Sequence, residues 1–202
     1  MSEVSPVPTR TYGISCPLDW VPLPVGPEGD VTRWAEETAR RIVERSRAAR
    51  CDIDPETVRT DLRARAEDSR GRDPFYAFAF YPDGFDAALG ILEVDLIHPD
   101  ASVPRITLDW LTETFSTDDF GPPYVTLTDE PIGPAVRIRQ NFAANDTPPG
   151  GPGTLLETLT YGLLPTGTDS AVVLLMSWTM PGIAEAMEDA ADGIVKMLTV
   201  ES

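Results

Sequence analysis

Histidine, lysine and cysteine are scarce in this sequence. His98 is the single histidine, Lys196 is the single lysine, and Cys16 and Cys51 are the two cysteines. No Cys-x-x-Cys pair occurs, which excludes the zinc-knuckle and thioredoxin-type motifs. No Gly-x-Ser-x-Gly turn occurs either, so the nucleophile elbow of the α/β-hydrolases is absent. Cys16 is interpreted as a buried strand cysteine rather than a nucleophile.

Few residues of the sequence could form a catalytic or metal site. A Ser-His-Asp site would have to join His98 to Ser102 and to Asp95 or Asp100. A metal site would use Asp95, His98 and Asp100, whose spacing matches no familiar motif. Because His98 precedes a proline in an apparent loop, a turn histidine is the favoured interpretation. We therefore predict no catalytic residue, no metal site and no cofactor.

Two other signals are missing. The glycine run at 150–153 is interrupted by proline and is not followed by Lys-Ser/Thr, so it does not form a phosphate loop. The chain also shows no basic start followed by an apolar stretch, and no apolar run long enough to span a bilayer. From these absences we expect a cytoplasmic protein with reduced thiols and no membrane partner.

The charge is strongly negative. The 202 residues include 33 acidic and 16 basic side chains, a net charge of −17. Such a charge repels nucleic acid and anionic membranes, and it leaves proteins as the favoured partners. A compositional bias of the host is the alternative explanation. Residues 31–72 differ from the rest, with 11 arginines and nine acidic residues.

Hydrophobic periodicity predicts a strand pair, two helices, several strands and a closing helix. Two short extended pieces come first, at 12–16 and 20–25. Two helices follow, with Asp30 and Asp54 as N-caps and Gly71 as the end of the second. Strands then centre on 76–80, 92–96, 136–142, 155–164 and 171–178, with helices at 106–115 and after Pro181-Gly182.

These elements indicate an α+β fold, in which helices pack on an antiparallel sheet as an α/β/α sandwich. The run at 171–178 is apolar on both faces and predicts a central strand. Residues 145–153 predict a hairpin loop. We expect a flexible tail at 1–10 and a single domain at 11–202, with an Arg-rich helical pair at about 30–71.

The two ends of the domain resemble the Mog1/PsbP-type family. The opening Tyr12-Gly-Ile-Ser-Cys-Pro-Leu-Asp-Trp20 is similar to that family's early strand, proline and tryptophan. The close is similar too, with a strand ending at Ser177-Trp178, a Pro-Gly turn and an amphipathic helix. The resemblance implies an accessory binding role, as in the family's GTPase-binding and photosystem-associated members. The Arg-rich helices depart from the family's plainest form, and neither partner carries over to this chain.

Charged side chains provide the candidate partner-binding residues: Arg40, Arg41, Arg45, Arg47, Arg137 and Arg139. The helical arginines have two interpretations, a solvated helix face with internal ion pairs or a surface that meets a partner. Arg137 and Arg139 also have two possible interpretations. They pair across strands on a solvent-facing side of the sheet, as Glu93 and Asp95 are expected to, or they form a small anion site.

The favoured hypothesis is a non-enzymatic accessory protein that binds another protein, with the oligomeric state left open. An immunity- or antitoxin-type inhibitor of a basic enzyme is an alternative, because an acidic surface can fill a basic groove. The other alternative is an enzyme or small-ligand binder with a pocket that is not visible in the sequence.

Overall fold

The computed structural model describes residues 10–118, 120–143, 155–180 and 182–201. The predicted tail at 1–10, apart from Arg10, lies outside the described residues. The predicted loop at 145–153 and Pro181 of the predicted Pro-Gly turn also lie outside them.

The helices and strands of the described ranges follow one another in runs rather than in alternation. They are β1 (Thr11–Gly13), β2 (Trp20–Pro22), α1 (Val31–Ala48), α2 (Pro55–Arg72), β3 (Tyr76–Phe80), β4 (Gly90–Ile97), α3 (Leu108–Phe115), β5 (Tyr124–Glu130), β6 (Gly133–Ala143), β7 (Leu155–Leu163), β8 (Ala171–Trp178), α4 (Ala184–Lys196) and β9 (Thr199–Glu201).

Helices α1 and α2 begin where the capping residues predict. The Asp30 carboxylate accepts a hydrogen bond from the Arg33 N–H at 3.1 Å. The Asp54 carboxylate accepts from the Thr57 N–H at 3.0 Å, and these bonds satisfy donors that the first turn leaves free. Helix α2 runs one residue past the predicted end at Gly71, because Asp73 provides a left-handed C-cap with φ of 56°.

Seven strands form one antiparallel sheet in the order β2-β3-β4-β8-β7-β6-β5, and β1 pairs with β9 in a separate small ladder. The fold is therefore α+β, as predicted. Strand β8 lies between β4 and β7, which confirms the prediction of a central strand. Apart from Leu175, its apolar side chains are buried on both faces because helices cover both sides of the sheet.

The two faces of the sheet have different covers. Helix α4 packs through Met187, Ala191 and Ile194 on the face that carries Leu174 and Met176, which we call the α4 face. The opposite face, the three-helix face, is covered by α1 and α2 over β2 and β3 and by α3 over β6 and β8. The core thus lies in separate apolar clusters on the two sides of one sheet.

Gly162 of β7 allows α3 to approach the sheet closely. A Cβ at this position would lie 3.1 Å from Leu111 of α3 and 3.2 Å from Val136 of β6. Leu111 is fully buried. The Leu111 side chain of α3 therefore occupies the space that a side chain at position 162 would need.

Three features differ from the sequence-based expectations. Strands β5 and β9 were not predicted. Glu93 was predicted to lie on an exposed strand face, but it is 8% exposed and accepts hydrogen bonds from the Arg72 guanidinium at 2.7–3.0 Å. Arg72, the last residue of α2, reaches over β4 and supplies the charge that makes this burial tolerable.

Candidate functional site

The two outer strands of the sheet, β2 and β5, are built very differently. An outer strand leaves backbone N–H and C=O groups unpaired, and proteins protect such edges with short strands, proline, lysine or bulges. Strand β2 has three residues and contains Pro22, and Pro24 follows it. The Leu23 N–H donates to the Ala77 carbonyl of β3, so Pro22 and Pro24 face outward.

Strand β5 has only the carboxylates of Asp129 and Glu130, at its end, as edge protection. It pairs with β6 through seven consecutive residue pairs, from Tyr124–Arg139 to Glu130–Gly133, without a bulge. It contains no proline and no lysine, since its sequence is YVTLTDE. Within the described residues, no other strand pairs with its outer side. By the rules that govern sheet edges, β5 is otherwise an unprotected edge.

The hydrogen-bond pattern identifies the groups that β5 offers. The Leu164 N–H donates to the Pro134 carbonyl at 2.9 Å, so even-numbered residues of β6 point their backbone groups toward β7. The odd-numbered residues then point toward β5, where Arg137 pairs with Thr126. Because backbone direction alternates along a strand, the N–H and C=O groups of Val125, Leu127 and Asp129 point away from the sheet.

Apolar side chains accompany these free backbone groups. Leu127 is 69% exposed and Tyr124 is 66% exposed, and Val125 and the nearby Phe120 are also exposed. Scattered apolar residues on a surface are ordinary. Here they coincide with an unprotected strand, and this combination marks the β5 edge, defined as Phe120 and Tyr124–Glu130, as the candidate binding site.

Behind this edge, Arg137 and Arg139 of β6 hold helix α4 against the sheet. Arg137 contacts Glu188 at 2.6 Å and Asp192 at 3.2 Å. Arg139 pairs with Glu188 at 3.3 Å and with Glu157 of β7. The Arg139–Glu157 contact joins neighbouring strands, and the other contacts reach α4.

The side of the sheet that carries these arginines is covered rather than solvent-facing, because the Arg137 and Arg139 side chains are only 13% and 16% exposed. Two guanidinium groups face three carboxylates, which leaves the cluster with a net negative charge. Glu93 and Asp95 lie on the opposite face and take no part. The prediction that Arg137 and Arg139 bind a partner remains a prediction.

Aromatic rings complete this cluster. The Tyr161 hydroxyl donates to Asp192 at 2.6 Å, and the Arg137 guanidinium lies 6.0 Å from the Tyr161 ring centre. The Arg139 guanidinium lies 4.8 Å from the ring centre of Trp178, within cation–π distance. Burial raises the pKa of Tyr161, and its bond to the Asp192 carboxylate raises it further. The hydroxyl therefore stays protonated and keeps its donor role.

The predicted partner-binding residues of α1 lie in two environments. Arg45 is half-buried and donates to Asp83 at 2.7 Å, to the Leu18 carbonyl at 3.0 Å and to the Tyr81 carbonyl. Arg40, Arg41 and Arg47 are exposed. None of these three has a carboxylate within ion-pair distance among the described residues. Their role in partner binding also remains a prediction.

The loop that carries His98 does not assemble the site considered from the sequence. The His98 Nδ1 lies 2.7 Å from the Ser170 hydroxyl, not from Ser102. The Ser102 hydroxyl donates to Asp100 at 2.6 Å within a turn. Among the described residues, no group of three His, Cys, Asp or Glu side chains is placed to hold a metal ion.

An open groove of about 450 Å³ lies between the end of α2 and β4, with Asp73, Phe75, Asp95 and His98 among its lining residues. Burial raises the pKa of Asp95, and the negative charges of Glu93 and Asp73 raise it further. This groove mixes acidic and apolar side chains and differs from the large apolar pocket that a small-ligand binder would need.

Sequence reasoning missed the β5 edge, although a signal was present. The run Tyr124-Val-Thr-Leu-Thr128 is rich in β-branched residues, and Asp-Glu-Pro-Ile-Gly follows it as a turn. Residues 125–128 alternate apolar and polar side chains, but Val125 and Leu127 are exposed whereas Thr126 and Thr128 are half-buried. This is the reverse of an ordinary half-buried strand.

The architecture defines an α+β protein built on one antiparallel sheet, with helices on both faces and one unprotected edge in the part that the structure describes. No protein-family model matches the chain, and comparison with curated proteins also gives no match. Within the described residues, no helix has the length and apolar character needed to span a membrane.

A solved structure shares this fold. The crystal structure of LpqN, a protein involved in cell envelope biogenesis of Mycobacterium tuberculosis, superposes on the chain with a TM-score of 0.51 and 12% sequence identity. The match covers 96% of this chain and 85% of LpqN. At this identity the likeness shows the fold alone.

Proposed function

We propose that this chain is a non-enzymatic accessory protein that binds another protein along the β5 edge. The observation that carries the proposal is the outward-facing backbone of Val125, Leu127 and Asp129 in a strand without edge protection. Added strands gain affinity from main-chain hydrogen bonds and specificity from alternate side chains. The occupant is an extended segment of a partner protein, which becomes the eighth strand of the sheet.

Rigidity behind the edge supports this role. Strands β6 and β7 share nine residue pairs, and α4 is tied to both strands through Arg137, Arg139 and their carboxylate partners. A partner strand therefore meets a preformed template, which lowers the entropic cost of binding.

The wider assignment belongs to the same proposal. Family membership of the Mog1/PsbP type fits an accessory binder, since the known roles of that family need no catalytic residue. LpqN takes part in cell envelope biogenesis, whereas the sequence predicts a cytoplasmic location for this chain. Fractionation of host cells with an antibody against the chain tests the location, and recovery in the envelope fraction would contradict it.

The binding proposal is tested with the neutral peptide Q-Q-T-V-T-V-Y, acetylated and amidated, and the ¹⁵N-labelled protein. Leu127→Pro removes an outward N–H without touching the bonds between β5 and β6, just as Pro22 does at the other edge. Leu127→Thr keeps the backbone and removes the apolar side chain. We expect the peptide to shift the amide signals of Val125, Leu127 and Asp129, to bind Leu127→Thr more weakly and to lose binding to Leu127→Pro.

Both variants must retain the wild-type circular dichroism and cooperative unfolding. Peptide binding that is equally strong in Leu127→Pro would show that β5 does not accept a strand. Shifts confined to another surface would also overturn the proposal.

A further inference from the structure

We propose that the partner segment runs antiparallel to β5 and carries basic residues at its N-terminal end, followed by alternating apolar residues. This inference rests on the proposed strand addition and names the chemistry of the partner. It follows from the side-chain pattern of β5, from its charge and from the direction of pairing in the sheet.

The apolar requirement follows from the side-chain pattern. Val125 and Leu127 project on the three-helix face, beside Ile138 and Val136 of β6, because these residues are register partners. An added strand continues the same row of side chains, since residues directly opposite one another contact across strands. Its residues opposite Val125 and Leu127 therefore have to be apolar, preferably β-branched.

The charge requirement follows from the far end of the strand. Asp129 and Glu130 end β5, and neither carboxylate has a cation within ion-pair distance among the described residues. The sequence has no basic residue between Arg105 and Arg137, so the surroundings add no compensating charge from the adjoining chain. Residues of the partner opposite Asp129 and Glu130 are favourable when they are lysine or arginine and unfavourable when they are acidic.

The direction in which the partner strand pairs with β5 decides which end of the partner segment carries the basic residues. All pairs in the seven-stranded sheet are antiparallel, and antiparallel pairing is slightly more stable per residue than parallel pairing. An antiparallel partner reaches Glu130 and Asp129 first and Tyr124 last. The expected order is basic, basic, any, apolar, any, apolar, aromatic or β-branched. A parallel partner would carry its basic residues last.

The occupant is a segment of a different protein rather than a second copy. Two β5 strands paired about Leu127 would place Asp129 opposite Val125 and leave all four terminal carboxylates without cations. Two chains that each carry a charge of −17 also repel one another. A basic segment meets the same edge with attraction at long and at short range.

Four peptides with acetylated and amidated ends test the inference: K-K-T-V-T-V-Y, its reversed sequence Y-V-T-V-T-K-K, E-E-T-V-T-V-Y and the neutral Q-Q-T-V-T-V-Y. At about 0.05 M salt we expect K-K-T-V-T-V-Y to bind about three- to tenfold more tightly than the neutral peptide. The reversed peptide should bind more weakly than K-K-T-V-T-V-Y, and the acidic peptide more weakly than the neutral one. The preference for the basic peptide should fall at about 0.5 M salt.

The double variant Asp129→Asn/Glu130→Gln is the matched control. It should bind all four peptides about equally well and keep the affinity of wild type for the neutral peptide. Tighter binding of Y-V-T-V-T-K-K would overturn the antiparallel direction. Equal binding of basic and acidic peptides would overturn the charge requirement and leave strand addition standing, because the neutral peptide reports on that separately.

Sedimentation equilibrium without peptide tests whether a second copy of the chain occupies the β5 edge. A dimer that Leu127→Pro abolishes would show that a second copy occupies the edge, and the inference would then be wrong. We expect the same mass for wild type and Leu127→Pro.

Discussion

Replacing Arg137 with methionine should destabilise the protein substantially, because this arginine neutralises carboxylates in a mostly buried place. Its side chain is 13% exposed, and it contacts Glu188 and Asp192, whose side chains are 31% and 41% exposed. Methionine keeps most of the apolar stem and removes only the charge and the hydrogen bonds. The effect then measures the ion cluster rather than a cavity.

The magnitude follows from the exposure of the partners. Removing one member of a fully buried pair costs about 3–5 kcal/mol, and an exposed pair is worth about 0.2–1 kcal/mol. Glu188 keeps Arg139 as a partner at 3.3 Å, so Asp192 is the carboxylate that loses the one guanidinium it contacts among the described residues. We expect the free energy of unfolding to fall by about 1.5–3 kcal/mol, between these limits.

Urea unfolding followed by circular dichroism measures this change at constant m-value. Arg63→Met is the matched control, since the Arg63–Glu67 pair is 3.8 Å long with side chains 46% and 62% exposed. It should change the free energy of unfolding by less than about 0.5 kcal/mol. In the double variant Arg137→Met/Asp192→Asn, part of the loss should return, because the unpaired carboxylate is gone. Equal effects of Arg137→Met and Arg63→Met would refute the reasoning.

Three further predictions concern other parts of the fold. Gly162→Ala should destabilise by about 1–3 kcal/mol in urea unfolding, because a Cβ crowds Leu111, whereas Gly193→Ala in α4 meets nothing and should stabilise by about 0.5–1 kcal/mol. Burial and then the charges of Glu93 and Asp73 raise the pKa of Asp95. The folding stability should therefore fall as the pH rises from the ordinary pKa of a carboxyl through the raised pKa of the folded state. Asp95→Asn should remove this slope in urea titrations at several pH values, and an unchanged slope would contradict the prediction. Burial raises the pKa of the Cys16 thiol to about 12. In a Cys51→Ser variant at about pH 8, iodoacetamide should therefore alkylate Cys16 about 100-fold more slowly in the folded than in the unfolded protein. Equal alkylation rates, measured by mass spectrometry, would count against this prediction.

The regular elements were predictable where a local physical signal exists. Asp30 and Asp54 cap helices through their own carboxylates, and the apolar run at 171–178 reflects burial on both faces of β8. Such signals lie within a few residues of the element they specify. The α+β class follows from the order of these elements.

The candidate site was not predictable in the same way, because its features depend on residues far apart in the chain. Glu93 is buried only because Arg72 reaches it from α2. The edge position of β5 depends on the strand order, which places β7 and β8 between β6 and β4. No pattern within 124–130 shows which neighbours the strand will have.

The contrast between the two edges is the strongest reason to treat β5 as functional. At β2 the outward-facing positions are Pro22 and Pro24, which lack the N–H that an incoming strand would need. The equivalent positions of β5 are Val125, Leu127 and Asp129, which keep theirs. Among the residues that the structure describes, one edge is therefore blocked and the other is open, although an open apolar edge favours aggregation. A net charge of −17 counteracts that tendency through repulsion between copies, while it leaves the edge attractive to a basic strand. Under the proposed strand addition, the acidity and the open edge have one explanation: the edge accepts a foreign strand and disfavours a second copy of its own.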